Sequence, residues 1–380
     1  MIKFLLKYGI VLYLINTIFL SIESTFVLGN LIFLFVMSTY GILILINASF
    51  FRDVILNKTF LIFLLINLIN LIYFLCFHSF GDHEALKFLL ARFVQFSIIS
   101  ASIYYNYNYY NTNFFRHLSF FLFVLMLVCL LGNFDFFSGR YRGLIWNPNM
   151  LASFSSIGFA IVLITINKYK RIDILMLSVF LIISLLTGSR GILIIVPLAF
   201  IIKFGFSLNN ILYSLLAIIL YFSISHLDLN TSINRFSERT VFDSRLDNWN
   251  YGIQNILSKP LFGFGLDKYS GETEYIPYFE KGLGRSLTAH NGYISLFIQY
   301  GMIFGSIILL LIFKYCISLF YFFKSYSDNI VKVNLYIILS TLIASIYETM
   351  ITGINEFQTI LFWFSLVFLI FHKKRIVNEN

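Results

Sequence analysis

RIDILMLSVFLIISLLTGSRGILIIVPLAFIIK (residues 171–203) decides how the chain is threaded, because it reads either as one long apolar helix or as two short ones joined at 187–191. Lys168, Lys170 and Arg171 stand at its start and Lys203 at its end. A single span would put these groups on opposite sides of a bilayer, whereas a hairpin returns Lys203 to the side on which the stretch began. Basic residues collect on the cytoplasmic side of membrane helices, so the hairpin is expected. Its tip draws Arg190 toward the outer edge of the hydrocarbon, where a guanidinium without a partner is costly.

Composition puts the rest of the chain in the same setting. The 380 residues are 59% hydrophobic and 19% aromatic with 12% charged, and the mean hydropathy is +0.84, far from the balance of soluble domains. An all-α polytopic membrane protein follows. With roughly 20 apolar residues needed per crossing, twelve crossings are expected: near 4–22, 26–47, 59–77, 85–105, 117–132 and 149–167. The other six fall near 172–187, 191–206, 209–226, 290–313, 333–352 and 356–372. A cytoplasmic N-terminus then puts fifteen Lys and Arg residues inside, against Arg140, Arg142 and Arg190 in the short outer loops. Both termini are cytoplasmic in this reading. Residues 1–226 hold nine helices, 227–289 form one large extracytoplasmic loop, and 290–380 hold three more helices and a short tail.

Several classes fall away on the same grounds. The net charge of +9 is dispersed in small groups between apolar runs, so no basic face for nucleic acid is expected. Cys76, Cys129 and Cys316 lie inside apolar runs without a CxxC or His-rich neighbour, which predicts no metal site. The opening MIKFLLKYGIVLYLINTIFLSI has no small-x-small site after its apolar core and reads as a retained first helix. Neither a solenoid repeat nor the duplicated halves of many transporters is visible.

The large polar interval carries the candidate chemistry. In SRLDNWNYGIQNILSKPLFGFG (244–265), Leu246, Trp249, Ile253, Ile256 and Leu257 recur at helical spacing, predicting an amphipathic helix against the membrane surface. Asp243 or Ser244 would cap it and Pro260 follows its end. Arg245 then falls in the first turn, where a bound anion would share the guanidinium and the free amides; a surface salt bridge to Asp243 or Glu238 is the alternative, and spacing leaves both open. In LTAHNGYISLFIQYG (287–301), His290 is a candidate proton acceptor or an interfacial capping side chain. Gly301 and Gly305, at GxxxG spacing, predict a close helix contact. Asn147-Pro148-Asn149 is a turn able to start a helix. Glu348, Glu356, Lys87 and Arg92 are further ionisable groups near or within helices, functional, paired or snorkelling.

Taken in order, GLIWNPNMLA (143–152), TGSRG (187–191), SRLDNW…KPLFGFG (244–265) and AHNGYISLFIQYG (289–301) resemble the O-antigen ligase and O-antigen polymerase superfamily over about residues 140–310. The resemblance implies a GT-C-like membrane glycosyltransferase on the outer face of the bacterial plasma membrane, working without cofactor or metal. It implies an undecaprenyl-diphosphate-linked oligosaccharide as donor and a glycan acceptor on a lipid-linked repeat unit or on lipid A core. It admits a chain-length regulator as partner and involves no nucleic acid. On this match Arg190 and Arg245 hold the diphosphate and His290 stands beside the acceptor hydroxyl. Arg142, Asp247, Trp249 and Asn291 are further candidates in the same segments, and Asp243, Asp247 and Glu280 are alternative bases. A repeat-unit polymerase is the preferred expectation, a ligase the next, and a lipid-linked oligosaccharide flippase or other transporter the competing class.

Overall fold

The computed structural model describes residues 2–136, 139–168, 170–189, 191–205, 207–212, 215–216, 219, 240–268 and 289–379. The main helices are α1 (Ile2–Leu20), α2 (Phe26–Ile46), α3 (Leu61–Phe77), α4 (His83–Thr112), α5 (Phe114–Gly132), α6 (Pro148–Thr165), α7 (Arg171–Leu186) and α8 (Ile192–Phe204). They continue as α9 (Thr240–Ser258), α10 (Gly292–Phe323), α11 (Asn329–Ala344) and α12 (Phe357–Glu379). No strand occurs among the described residues. Among the described residues seven helices are long and apolar enough to cross a membrane, namely α1 to α6 and α10, and α8 and α11 are shorter apolar helices. The chain is an all-α polytopic membrane protein.

Burial separates the centre of the bundle from its lipid face. Ile360, Leu361, Phe362, Phe364, Leu366, Val367, Phe368 and Leu369 of α12 are all fully buried; a helix apolar and buried all round belongs in the middle. It packs against α1, α4, α10 and α11. Beside it Phe63 of α3 and Phe96 of α4 stack with ring centroids 3.9 Å apart, and Trp363 meets both edge-on. Val27, Leu31, Leu34 and Leu45 of α2, by contrast, face outward. In lipid such apolar exposure has no cost, since only polar backbone must be satisfied internally.

The hairpin expected at 171–203 is present: α7 and α8 are separate helices, both packed against α6, joined by a turn in which Gly188 has φ 61°. Tyr141 N donates to Leu186 O at 3.0 Å and fixes the loop before α6 to this turn. The expected ninth crossing, 209–226, lies mostly outside the described residues.

Two local expectations are corrected. The amphipathic helix α9 begins at Thr240, not at Asp243 or Ser244, so Arg245 lies beyond the first turn and away from the free amides of the helix start. The glycine pair in α10 is no helix–helix contact. Gly301, at φ 66°, interrupts the helix, and a Cβ there would strike the backbone of Leu261 and Phe262. An unbroken helix would bond Met302 N to Ile298 O and Ile303 N to Gln299 O. Here Met302 N donates to Pro260 O at 2.8 Å and Ile303 N to Leu261 O at 3.3 Å. Ile298 O accepts from Phe264 N at 2.8 Å, and Gln299 O from Gly265 N at 3.1 Å. The PLFGFG turn is thus inserted into the helix ladder, and the groups freed by the break are satisfied. His78 Nε2 accepts from Leu266 N at 3.2 Å while its Nδ1 faces Asp82 at 2.6 Å, which pins the same turn to the end of α3.

Candidate active site

Asn147 accepts from Asn149 N at 2.8 Å, and Pro148 occupies the first helical position, so α6 starts sharply. The Asn149 side chain points away from the helix. Its Oδ1 accepts from Arg140, whose Nε also donates to Thr187 O in the α7–α8 turn at 2.9 Å. Its Nδ2 donates to Glu348 Oε1 at 2.9 Å.

Glu348 is presented by the connection between α11 and α12, outside the membrane-spanning helices. The start of α10 holds this connection in place. Gly292 N donates to Ser345 O at 2.7 Å and Asn291 Nδ2 to Ile346 O at 2.8 Å. Asn291 Oδ1 meanwhile accepts from Tyr293 N and Ile294 N as the cap of α10. Next to that cap, His290 has φ 41°, the one left-handed residue other than glycine among those described. Strain of this kind collects where a side chain must be aimed.

Arg245 reaches the same carboxylate from α9. Its Nη1 donates to Tyr347 O at 2.8 Å and its Nη2 to Glu348 Oε1 at 3.1 Å. His290 Nδ1 lies 3.6 Å from Glu348 Oε2. One carboxylate therefore gathers a guanidinium from within α9, an amide from the start of α6 and an imidazole from the flank of α10. The Glu348 side chain is only 18% exposed, against 29% for Arg245 and 43% for His290. Burial opposes ionisation of Glu348, but the imidazole and the guanidinium outweigh it and hold the carboxyl below its usual value. With Nδ1 turned to the carboxylate, Nε2 is the ring nitrogen left to meet another group.

The other sequence candidates separate around this centre. Arg190 lies outside the described residues. Gly191, next to it, packs against the Tyr347 ring, so the α7–α8 turn borders the cluster. Arg142 and Asp247 are exposed, and Asp243 and Glu280 lie outside the described side chains. Trp249 is half-buried, with an indole nitrogen that finds no partner among the described residues. Asn291 is an anchor of the backbone. Among the described residues no three His, Cys, Asp or Glu side chains are placed to share a metal ion. Sequence reasoning gave no role to Asn149 or Arg140 and left Glu348 open; its acidic side chain in the apolar run 333–352 was the available signal.

Residues 150–313 match the family model described as O-antigen ligase. The match supports the O-antigen ligase and polymerase superfamily and extends the resemblance from short motifs to one continuous span. The O-antigen ligase span opens in the first turn of α6 and closes inside α10, so it contains Arg190, Arg245 and His290 and leaves Glu348 outside. Members of this O-antigen ligase family are glycosyltransferase-like enzymes. No curated protein matches the chain.

Proposed function

We propose that the protein transfers a glycan from undecaprenyl diphosphate to a sugar hydroxyl at the outer face of the plasma membrane, as a repeat-unit polymerase of O-antigen or capsule. The observation that carries this reading is the convergence of Arg245 and His290 on Glu348 at one end of the bundle, 3.1 Å and 3.6 Å from its two oxygens. Both lie in the span that matches the family. In the reaction the acceptor oxygen attacks the anomeric carbon and forms the new C–O bond. The bond from that carbon to the phosphate oxygen breaks, and the lipid diphosphate leaves with the electron pair. The acceptor proton passes to His290 Nε2, with Glu348 holding the ring and stabilising the imidazolium. Arg245, with Arg190, neutralises the charge that builds on the leaving diphosphate, a role suited to planar, permanently charged donors and needing no metal. A single displacement inverts the anomeric centre. The active end faces outward, with both termini cytoplasmic.

A ligase would use the same groups and differ only in acceptor. Surface glycan from cells lacking the gene, complemented with wild type or His290→Ala, separates the two. A single repeat unit left on lipid A core identifies a polymerase. Absence of all attached glycan, with long chains held on the lipid carrier, identifies a ligase. An unchanged glycan ladder points instead to a transporter or to another glycan altogether.

A further inference from the structure

Glu348 Oε1 occupies a position that its neighbours are built to offer to an anion. Arg245 Nη2 and Asn149 Nδ2 both donate to that one oxygen, at 3.1 Å and 2.9 Å. The amide cannot turn away, because Arg140 donates to its Oδ1 and so fixes which end faces Glu348. Arg140 is itself held by Thr187 O. The seat is thus preorganised from three separate segments, and its present occupant is a side chain of the protein.

We propose that Glu348 is a placeholder in the phosphate seat and that Asn149 is a further phosphate ligand. A donor diphosphate displaces the Glu348 carboxylate from Arg245 and Asn149 and takes over both. This inference rests on the diphosphate role of Arg245. Two anions cannot share the same donors at contact distance. A diphosphate wins the contest because it brings more charge and more acceptor oxygens to a guanidinium than one carboxylate oxygen does. Displacement has a second effect. Glu348 Oε2 already faces His290, so a carboxylate that has lost Arg245 and Asn149 keeps the imidazole as its remaining partner. The proton acceptor is therefore readied by arrival of the donor, and donor binds before acceptor.

Inorganic pyrophosphate, titrated into the purified full-length protein in lipid nanodiscs, tests the proposal. Glu348→Gln keeps the shape and an acceptor oxygen but removes the competing charge, and it is expected to bind pyrophosphate at least about tenfold more tightly than wild type. Glu356→Gln, which removes a nearby carboxylate outside the seat, is expected to leave affinity within about twofold. Equal tightening in both variants, or none in Glu348→Gln, overturns the placeholder. Adding Asn149→Ala to Glu348→Gln is expected to lose most of the gain; full retention overturns the role of Asn149. Wild type saturated with pyrophosphate gives a test free of substitution. Glu348 is expected beyond hydrogen-bond reach of Arg245, and a surviving pair beside bound anion overturns the displacement. If Arg245→Ala binds pyrophosphate as well as wild type, the diphosphate role of Arg245 fails, and the inference built on it fails with it.

Discussion

Arg245 and Glu348 form a partly buried pair, and each is harmed by loss of the other. Removing one member of a buried pair leaves an uncompensated charge and costs roughly 3–5 kcal/mol when burial is complete, less at the exposure found here. Arg245→Ala is therefore expected to lower thermal stability in detergent by a few degrees and to abolish glycan transfer. Arg245→Lys should restore much of the stability but little transfer, because one ammonium cannot reach Tyr347 O and an anion together; recovery of full transfer by Lys would remove the need for a guanidinium. The depressed acidity of Glu348 has a definite sign. Its folded value lies below the unfolded one near 4.5, so the pair stabilises the protein fully above that pH and progressively less as pH falls through the folded value. Melting curves of wild type and Glu348→Gln should therefore converge in acid and stand apart at neutral pH. Glu348 and Arg245 are 103 positions apart. No local periodicity links them, which is why the sequence offered only a salt bridge to Asp243 or Glu238 or a bound anion at a helix start.

Among the elements, α10 depends on a segment from another part of the chain. Its ladder is completed by Pro260, Leu261, Phe264 and Gly265, and it can adopt this form because Gly301 tolerates φ 66°. Gly301→Ala adds a Cβ against the Leu261 backbone and should release the turn. Faster tryptic cleavage after Lys268 would register the release, and an unchanged rate would show that the turn is held without α10. The N-cap of α10 is a milder case: Asn291→Ala removes two bonds to backbone amides and one to Ile346 O and is expected to cost about 1–2 kcal/mol, read as a lower melting temperature. The glycines were visible in the sequence, but their spacing pointed to a neighbouring helix because GxxxG is silent about whether the approaching backbone is helical. The α7–α8 hairpin was legible for the opposite reason. Its evidence was the distribution of charge across a membrane, which acts on the whole element at once.

At the scale of the molecule, the helix positions were readable because a bilayer demands long apolar runs and marks them in composition. The order of packing around α12 was not, since an apolar helix facing lipid and one facing protein have the same hydropathy. Orientation can be checked directly. In a Cys76→Ser background, cysteine at Asp247 should react with a membrane-impermeant maleimide added to intact cells, and cysteine at Lys374 should not. Reversal of that pattern would turn the protein over and put the Glu348 cluster in the cytoplasm. The central place of α12 also bears on how the protein is made. Residues 357–379 leave the ribosome after α1 to α11, yet they supply the post around which α1, α4, α10 and α11 are arranged. The earlier helices must wait in the bilayer as a loose collar, with Arg92 and Gln95 of α4 not yet joined to Thr352 O and Ile354 O. A nascent chain arrested at residue 356 should accordingly be inserted but open to quality-control proteolysis, and closure of the bundle becomes a late, single event in the biogenesis of the protein.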